Sequence, residues 1–394
     1  MIRYQLPKRW LVYNALELVG PLTDAKAAVM SLKTIPFQRT WAEALQQVQL
    51  KFEVAGTSRI EGADFTEREL DAALSQTPHE LITRSQRQAH AAVQTYRWIA
   101  NLEDDRPIST DLIKEVHRQI VTGADDDICP PGEIRRQDQN VTFGIPPHRG
   151  AEGGGECEQA FESLGEALQR EFTDHDLLIQ ALALHYHFAA IHPFLDGNGR
   201  TARALEALVL QRAGLRDALF IAMSNYYYDE KKTYLEMLGK VRAGNHDLTP
   251  FLAFGLRGIA SQCNRLFGVI RTNIAKEMFR NLMYDLFDRL QTPKKRVIAK
   301  RQIEILKLLL RREKVEWSEF SQMAAQIHKS LTKPIMALVR DINYLGSLGA
   351  VIVRKDGNRI YLWVNLDWPA QITETEFFEK TRKFSKAKPH SLAL

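Results

Sequence analysis

The sequence predicts a mainly α-helical protein with one small β-hairpin near its middle and a distinct mixed unit at its C-terminus. Three observations carry this expectation. Apolar residues recur at helical spacing through most of the chain, as at Trp41, Leu45 and Val48. A Pro- and Gly-rich interruption lies between Cys129 and Gly155. Near the end, three helical stretches precede two alternating apolar runs set around an Asp-Gly pair, a strong hairpin signal.

Taken in order, helices are expected over 40–54, 66–74 and 84–100, and from a Ser109 or Thr110 cap to 120. Val141-Thr142-Phe143-Gly144 ahead of Ile145-Pro146-Pro147 predicts a short hairpin limited by proline. Helical spacing resumes over 158–170, 176–191 and 198–213, with two further helices expected within 249–287. Gln291-Thr292-Pro293-Lys294-Lys295 reads as a linker. Beyond it, helices over 301–312, 317–327 and 331–345 lead to strands over 350–354 and 359–364, joined by Lys355-Asp356-Gly357-Asn358. That is the order of a winged helix-turn-helix. The expected organisation is an N-terminal helical region (1–105), a helical core with a hairpin flap (106–290), a winged helix-turn-helix (291–370) and a charged, mobile tail (371–394).

Composition excludes several classes. With 394 residues, 45% hydrophobic and 26% charged, the chain has ample material for a core and is not intrinsically disordered. Three scattered cysteines, Cys129, Cys157 and Cys263, argue against a disulfide framework or a zinc site and fit a reducing compartment. The first ten residues lack a signal core, and no run approaches the roughly 20 apolar residues of a membrane helix. A cytoplasmic protein without membrane association is expected. Residues 291–394 hold 20 Lys/Arg against 10 Asp/Glu, so the basic charge is concentrated there and the rest is mildly acidic.

The densest chemistry runs from His192 to Arg203, His-Pro-Phe-Leu-Asp-Gly-Asn-Gly-Arg-Thr-Ala-Arg. Pro193 disfavours helix at His192, and the apolar spacing resumes at Leu205, so the stretch is a tight loop feeding a helix N-terminus. Gly197 and Gly199 let backbone N–H groups approach a ligand, and the helix dipole favours phosphate there. Arg200 and Arg203, one turn apart, are placed to reach one polyphosphate. Asp196 is a hard oxygen ligand suited to Mg²⁺. His192 can be neutral near pH 7 and accept a proton from a hydroxyl. Together these residues suit phosphoryl-transfer chemistry. Rival readings fail in context. A calcium loop would want an oxygen ligand where Arg200 stands. A dinucleotide fingerprint must follow a strand, not a helix. His185, His187 and His192 do not share one helix face as zinc ligands would. No P-loop occurs.

The stretch resembles the Fic motif, His-Pro-Phe-x-Asp/Glu-Gly-Asn-Gly-x-x-x-Arg, at every defined position. A weaker resemblance extends over about 107–254, including Pro131-Gly132-Glu133-Ile134-Arg135 and Asp247-Leu248-Thr249-Pro250-Phe251. It implies an all-helical core with a small hairpin flap, and transfer of AMP from ATP to a Tyr, Thr or Ser hydroxyl of a target protein. It further implies that His192 is the base and that Asp196 holds Mg²⁺. Asn198 and the amides of Gly197 and Gly199 would hold phosphates, and Arg200 and Arg203 the β- and γ-phosphates. Relatives acting as kinases carry lysine at the position of Gly199. Val141, Thr142, Phe143 and Gly144 would be the flap that docks the target by backbone pairing. The stretch 224–238 looks like the adenine-side segment, with Tyr234 its candidate contact, although Leu235 stands where a second tyrosine is frequent. Upstream, Thr57-Ser58-Arg59-Ile60-Glu61-Gly62 resembles the inhibitory signature Ser/Thr-x-x-x-Glu-Gly/Asn. Glu61 would then face Arg203 and occupy the γ-phosphate site.

Alternatives stand beside this reading. One is a DNA-binding regulator with a vestigial core, using Lys333, Arg340, Arg354, Lys355 and Arg359 of the winged unit. Another is the reverse reaction, removal of AMP, with Glu61 positioning water. Self-modification and a homodimer are further expectations, and the winged unit is open to DNA or to protein contacts.

Overall fold

The chain opens on a short strand, β1 (Ile2–Arg3), and then runs through helices α1 (Ala15–Thr34), α2 (Arg39–Ile60), α3 (Glu67–Ser75), α4 (Arg84–Ala100) and α5 (Thr110–Val121). Strands β2 (Thr142–Phe143) and β3 (His148–Arg149) follow, then α6 (Gly155–Gln169), α7 (Leu177–Ile191), α8 (Asn198–Arg212), α9 (Met223–Asp229), α10 (Lys231–Ala243) and α11 (Thr249–Asp288). The last part holds α12 (Pro293–Leu310), β4 (Val315–Glu316), α13 (Trp317–His328), α14 (Pro334–Ser347), β5 (Val351–Asp356), β6 (Arg359–Val364), α15 (Trp368–Gln371) and α16 (Glu374–Arg382). This computed structural model describes residues 2–63, 66–75, 80–290, 292–382 and 392. The fold is mainly α with two small three-stranded sheets, as the sequence predicts. Among the described residues no helix is long and apolar enough to cross a membrane.

Two compact units form, 1–268 and 269–394, and the division falls inside α11. In the first, α7 and α8 pack against each other at the centre. Nearly every residue of both helices is buried, so α7 is apolar all round rather than along one stripe. Caps set the helix starts: the Ser109 hydroxyl accepts from Leu112 N, and Asp176 from Leu178 N. Thr83 and Gln86 form a reciprocal capping box at α4.

The structure departs from expectation in several places. The sequence reading named no helix over α1, which forms with Pro21 inside it. The two helices expected within 249–287 are one 40-residue helix. Its glycines serve close packing instead of a break. A Cβ on Gly255 would lie 2.4 Å from Leu182, and one on Gly258 2.5 Å from Tyr226. The middle hairpin is not free-standing either. β1 pairs parallel to β3, giving the sheet order β1-β3-β2 and leaving β2 as an outer strand. The N-terminal strap also docks on the core. Trp10 N and Leu11 N donate to Glu171, and His187 Nε2 donates to Trp10 O at 2.5 Å.

The second unit gathers Phe279, Met283 and Phe287 with Leu306, Phe320, Leu338, Ile342, Leu362 and Trp368 in one core. Buried Asp341 accepts from Arg301 Nε (3.1 Å) and His328 Nε2 (2.9 Å). The sheet order is β4-β6-β5. The hairpin turn is shifted by one residue from the Asp-Gly expectation: Asp356 pairs with Arg359, and Gly357, at φ 58°, is the first turn residue. Lys333, Arg340, Arg354, Lys355 and Arg359 are exposed, as are the apolar Ile335 and Met336 at the start of α14. The tail expected to be mobile from 371 instead forms α16, because Phe377 is fully buried against Phe287. Gln291 of the expected linker, and the tail beyond Arg382 except Leu392, lie outside the described residues.

Burial of titratable groups makes stability pH-dependent. Burial lowers His117 and His192 to about 4 and His187 to about 3, and also lowers His148 and His246. Each takes up a proton in the unfolded chain near pH 6.5 but not in the native one, so stability falls as pH drops below that value. Glu53 acts in the opposite sense. Burial raises it to about 7, so its contribution is present below about 4.5 and is lost as pH rises through 7. The histidines outnumber it. The thermal midpoint should therefore rise between pH 5 and pH 6.5 in a scanning-calorimetry series, and a flat or falling midpoint would contradict this assignment.

Candidate active site

The loop between α7 and α8 is held from below. His192 closes α7 in the left-handed region (φ 56°, ψ 59°), with its N–H still donating to Phe188 O. Such a conformation costs a non-glycine residue about 1 kcal/mol or more, so neighbours must enforce it. Arg135, 1% exposed, does much of this. Its Nε donates to His192 O at 2.8 Å, its backbone N to Pro193 O at 2.9 Å, and its Nη groups to Gln139 O and Ala151 O. Gly150 permits the close approach, since a Cβ there would lie 2.7 Å from Ile191 O. On the other side His117 stacks on Phe194 with ring centroids 3.7 Å apart. Its Nδ1 accepts from Gly132 N, which leaves the proton on Nε2 to donate to Asp196 O at 3.0 Å.

The loop turns into α8 at Gly197, which has φ 76°. Asn198 was expected to hold phosphate. The structure commits its side chain to the loop: Oδ1 accepts from Phe194 N (3.0 Å) and Nδ2 donates to Phe194 O (2.8 Å). Only its backbone N–H, in the first turn of α8, is in the orphan-donor region of a helix.

His192 is half-buried, and its ring lies flat on Phe143 of β2 at 3.9 Å and 12°. Its Nδ1 donates to Ala189 O at 3.2 Å, so the neutral ring carries its lone pair on Nε2. Burial of the ring pushes its pKa down to about 4, with Arg135 and Arg242 adding to the shift, and the base form persists through neutral pH. Of the flap residues, Phe143 reaches the site and Thr142 pairs with Arg149, while Val141 O accepts from Gly150 N. Gly144 turns the hairpin at φ 76° beside Arg242.

Arg200 and Arg203 of α8 each meet a different carboxylate. Arg203 is buried. Its Nε donates to Thr57 Oγ1 at 2.7 Å and its Nη2 to Glu61 Oε1 at 2.5 Å. Glu61 caps the end of α2, and its side chain is 40% exposed. Its carboxylate lies against the first turn of α8, 2.3 Å from where a Cβ on Gly199 would stand. Loss of hydration favours the acid form of Glu61, but Arg203, Arg200 and His192 outweigh it and hold the pKa below the usual value. Arg200 instead donates to Asp125 Oδ2 at 2.6 Å, and its Nη2 lies 3.6 Å from Asp196. Asp125 is fully buried and also accepts from Arg84 Nε (2.6 Å) and Gln88 Nε2 (2.9 Å). Arg84 bridges onward to Asp196 Oδ2 at 3.1 Å.

Asp196 is the one carboxylate of the loop, 39% exposed, with Gly197 N donating to its Oδ1. Among the described residues no group of three or more His, Cys, Asp or Glu is arranged to hold a metal. A single accessible carboxylate fits Mg²⁺ only as a minority ligand, with phosphates and waters supplying the rest.

Several residues position this site without any motif of their own. α2 is fixed along α9 by Glu53, which accepts from Ser224 N (2.8 Å), Tyr96 Oη (2.7 Å) and Ser224 Oγ. Gly56 allows the contact, since a Cβ there would meet Ser224 C at 2.4 Å. Tyr234, expected beside an adenine, is 3% exposed. It stacks on Tyr227, and its hydroxyl bonds His185 Nε2 at 2.9 Å. The exposed aromatic of this stretch is Tyr228, under Arg59 at 5.7 Å.

Comparison with known proteins agrees with this arrangement. Residues 107–210 match the Fic/DOC family. Over 159 residues the chain is 31% identical to a Drosophila willistoni protein named Protein adenylyltransferase Fic, covering 39% of this chain and 28% of that protein. The match thus spans little more than a quarter of that relative's length. Fic-1 (residues 134–508) from C. elegans is similar in structure with a TM-score of 0.55 at 20% identity, over 66% of this chain and 74% of that one. A Fic family protein from Desulfovibrio desulfuricans G20 gives 0.57 at 16% identity, over 92% and 98% of the two chains. At these identities the structural likeness is one of fold. The chain carries a Fic/DOC-family domain at residues 107–210, set in a fold that it shares with solved Fic proteins.

Proposed function

We propose that this protein transfers AMP from ATP to a hydroxyl of a protein side chain (Tyr, Thr or Ser) and that Glu61 restrains the reaction. The observation that carries this reading is a neutral imidazole, His192, with its Nε2 lone pair fixed by the Nδ1 bond to Ala189 O, beside a helix N-terminus that Glu61 occupies. The name of the Drosophila willistoni relative supports the same class of reaction.

In this mechanism an acceptor segment lies along the outer edge of β2, over Phe143. His192 Nε2 takes the hydroxyl proton as the oxygen attacks the α-phosphorus. The bond from that phosphorus to the α,β-bridging oxygen breaks, and pyrophosphate leaves. The first-turn amides of α8, including that of Gly199, face the phosphates, and Arg203 meets the γ-phosphate once Glu61 has moved aside. Arg200, held by Asp125, contributes positive potential at the same helix end. Asp196 would hold Mg²⁺, which supplies charge neutralisation on the phosphates when bound. Asn198 and Arg135 keep the loop in shape.

Two substitutions test this reading. His192→Ala should lower transfer of label from α-labelled ATP by about 10²–10⁴-fold while nucleotide affinity stays nearly unchanged. Undiminished transfer would remove His192 from the chemistry. Glu61→Gly should raise the rate of self-modification by roughly 10- to 150-fold, with the lower end expected because the carboxylate is partly exposed. A folded Glu61→Gly protein no faster than wild type would reduce Glu61 to a helix-end carboxylate.

A further inference from the structure

The unit formed by residues 1–268 holds a second basic recess, lined by none of the residues of the loop or of α8. It is a cavity of about 350 Å³ between the N-terminal strap, β3 and the end of α10. Its basic lining is Arg3, Arg149 and Arg242 with His148 and His246, its neutral polar lining is Tyr4, Gln5 and Asn245, and no carboxylate lines it among the described residues. Arg149 has one distant partner, Glu152, at 3.6 Å. Elsewhere in this unit Arg203 is paired with Glu61, Arg200 with Asp125 and Arg135 with three carbonyls, while the Nε atoms of Arg212 and Arg216 also lack a partner but line no part of this cavity.

Here four buried polar atoms have no hydrogen-bond partner among the described residues: Tyr4 Oη, His148 Nε2, Arg149 Nε and Arg242 Nε. All four residues line the same cavity. Native interiors leave few such atoms unsatisfied, and a cluster of them calls for a ligand or water. Water would satisfy the donors but leave the guanidinium charge uncompensated. His246 is not part of the deficit. Its Nε2 bonds Gln5 O and its Nδ1 bonds Tyr186 Oη, both at 2.8 Å. His148 donates from Nδ1 to Pro146 O, so its Nε2 carries the lone pair and can only accept; the donors left without a partner are Tyr4 Oη, Arg149 Nε and Arg242 Nε.

We propose that this cavity is a binding site for a small phosphate-class oxyanion, either free phosphate or a phosphate monoester. A phosphate offers three acceptor oxygens and up to two negative charges, which match two guanidinium Nε donors and a phenol hydroxyl beneath the exposed Arg3. A single carboxylate would leave most of that charge uncompensated. The volume exceeds what inorganic phosphate fills and leaves room for the small organic group of an ester. The site is joined to the flap. The Arg242 guanidinium lies over the Phe143 ring at 5.1 Å, and that ring stacks on His192. An occupant that engages Arg242 therefore bears on the packing beneath the candidate base.

The test is calorimetric titration of the full-length, nucleotide-free protein with inorganic phosphate and, separately, with glycerol 3-phosphate. One saturable site per chain is expected for at least one probe. Arg149→Gln and Arg242→Gln should each weaken it by about tenfold or more, as loss of a charge-assisted bond does, while Arg203→Ala leaves it within about twofold. Tighter binding of glycerol 3-phosphate identifies the ester, and equal or tighter binding of inorganic phosphate identifies the free anion. Circular dichroism of each variant, run first, establishes that it is folded, and Arg149 and Arg242 provide two independent variants. The proposal is overturned if neither probe saturates below about 20 mM. It is equally overturned if binding is lost in Arg203→Ala and retained in Arg242→Gln, which would put the anion at α8.

Discussion

The contact on which the candidate site depends is the ion pair between Arg203 of α8 and Glu61 at the end of α2, with Thr57 bonded to the same guanidinium. Removing the partner of a buried ion pair is costly, and Glu61 is the carboxylate that Arg203 meets among the described residues. With Glu61 as that partner, its carboxylate rests on the α8 N-terminus, where the helix dipole and unpaired amides also favour an anion. The proposed reaction needs the same guanidinium and the same helix end for phosphate. Restraint and catalysis then compete for one group, and no separate regulatory domain is required.

That competition works only if both sides are stiff. On one side, Glu53 and Gly56 fix α2 along α9, so Glu61 is delivered at a set height over α8. On the other, Arg135, His117 and the Asn198 side chain hold the loop carbonyls and amides, so His192 keeps its left-handed backbone and its Nδ1 proton. Interactions that look structural therefore set the chemical properties of the base, a pattern expected of preorganised sites.

Much of this was legible in the sequence, for identifiable reasons. The α4 boundaries followed from helical periodicity, and the loop-to-helix reading of 192–203 followed from Pro193 and the apolar spacing that resumes at Leu205. Glu61 was found because its spacing from Thr57 is local. Asp125, Arg84 and Glu53 were not found, because each acts through a partner 41 to 171 residues away and has no local pattern, and Arg135 was quoted in the resemblance without its role. The single 40-residue α11 was expected as two helices, and its Gly255 and Gly258 lie in close contact with Leu182 and Tyr226. Tyr234, expected beside an adenine, is stacked on Tyr227 and bonded to His185, a contact 49 residues away that no local pattern displays. Asn198 shows the limit of motif reading, since sequence pattern marks a residue as important without saying whether its side chain faces the ligand or the loop.

The most direct test of the contested guanidinium compares ATP with ADP, because the two differ in the γ-phosphate that would meet Arg203. Affinities of both nucleotides should be measured by calorimetry for the wild-type protein and for Glu61→Gly under identical salt and Mg²⁺. The wild type should bind ATP and ADP with nearly equal affinity, and Glu61→Gly should prefer ATP by about tenfold, the effect of one charge-assisted bond. The same ATP-to-ADP ratio in both proteins would show that Glu61 and the γ-phosphate do not compete for Arg203.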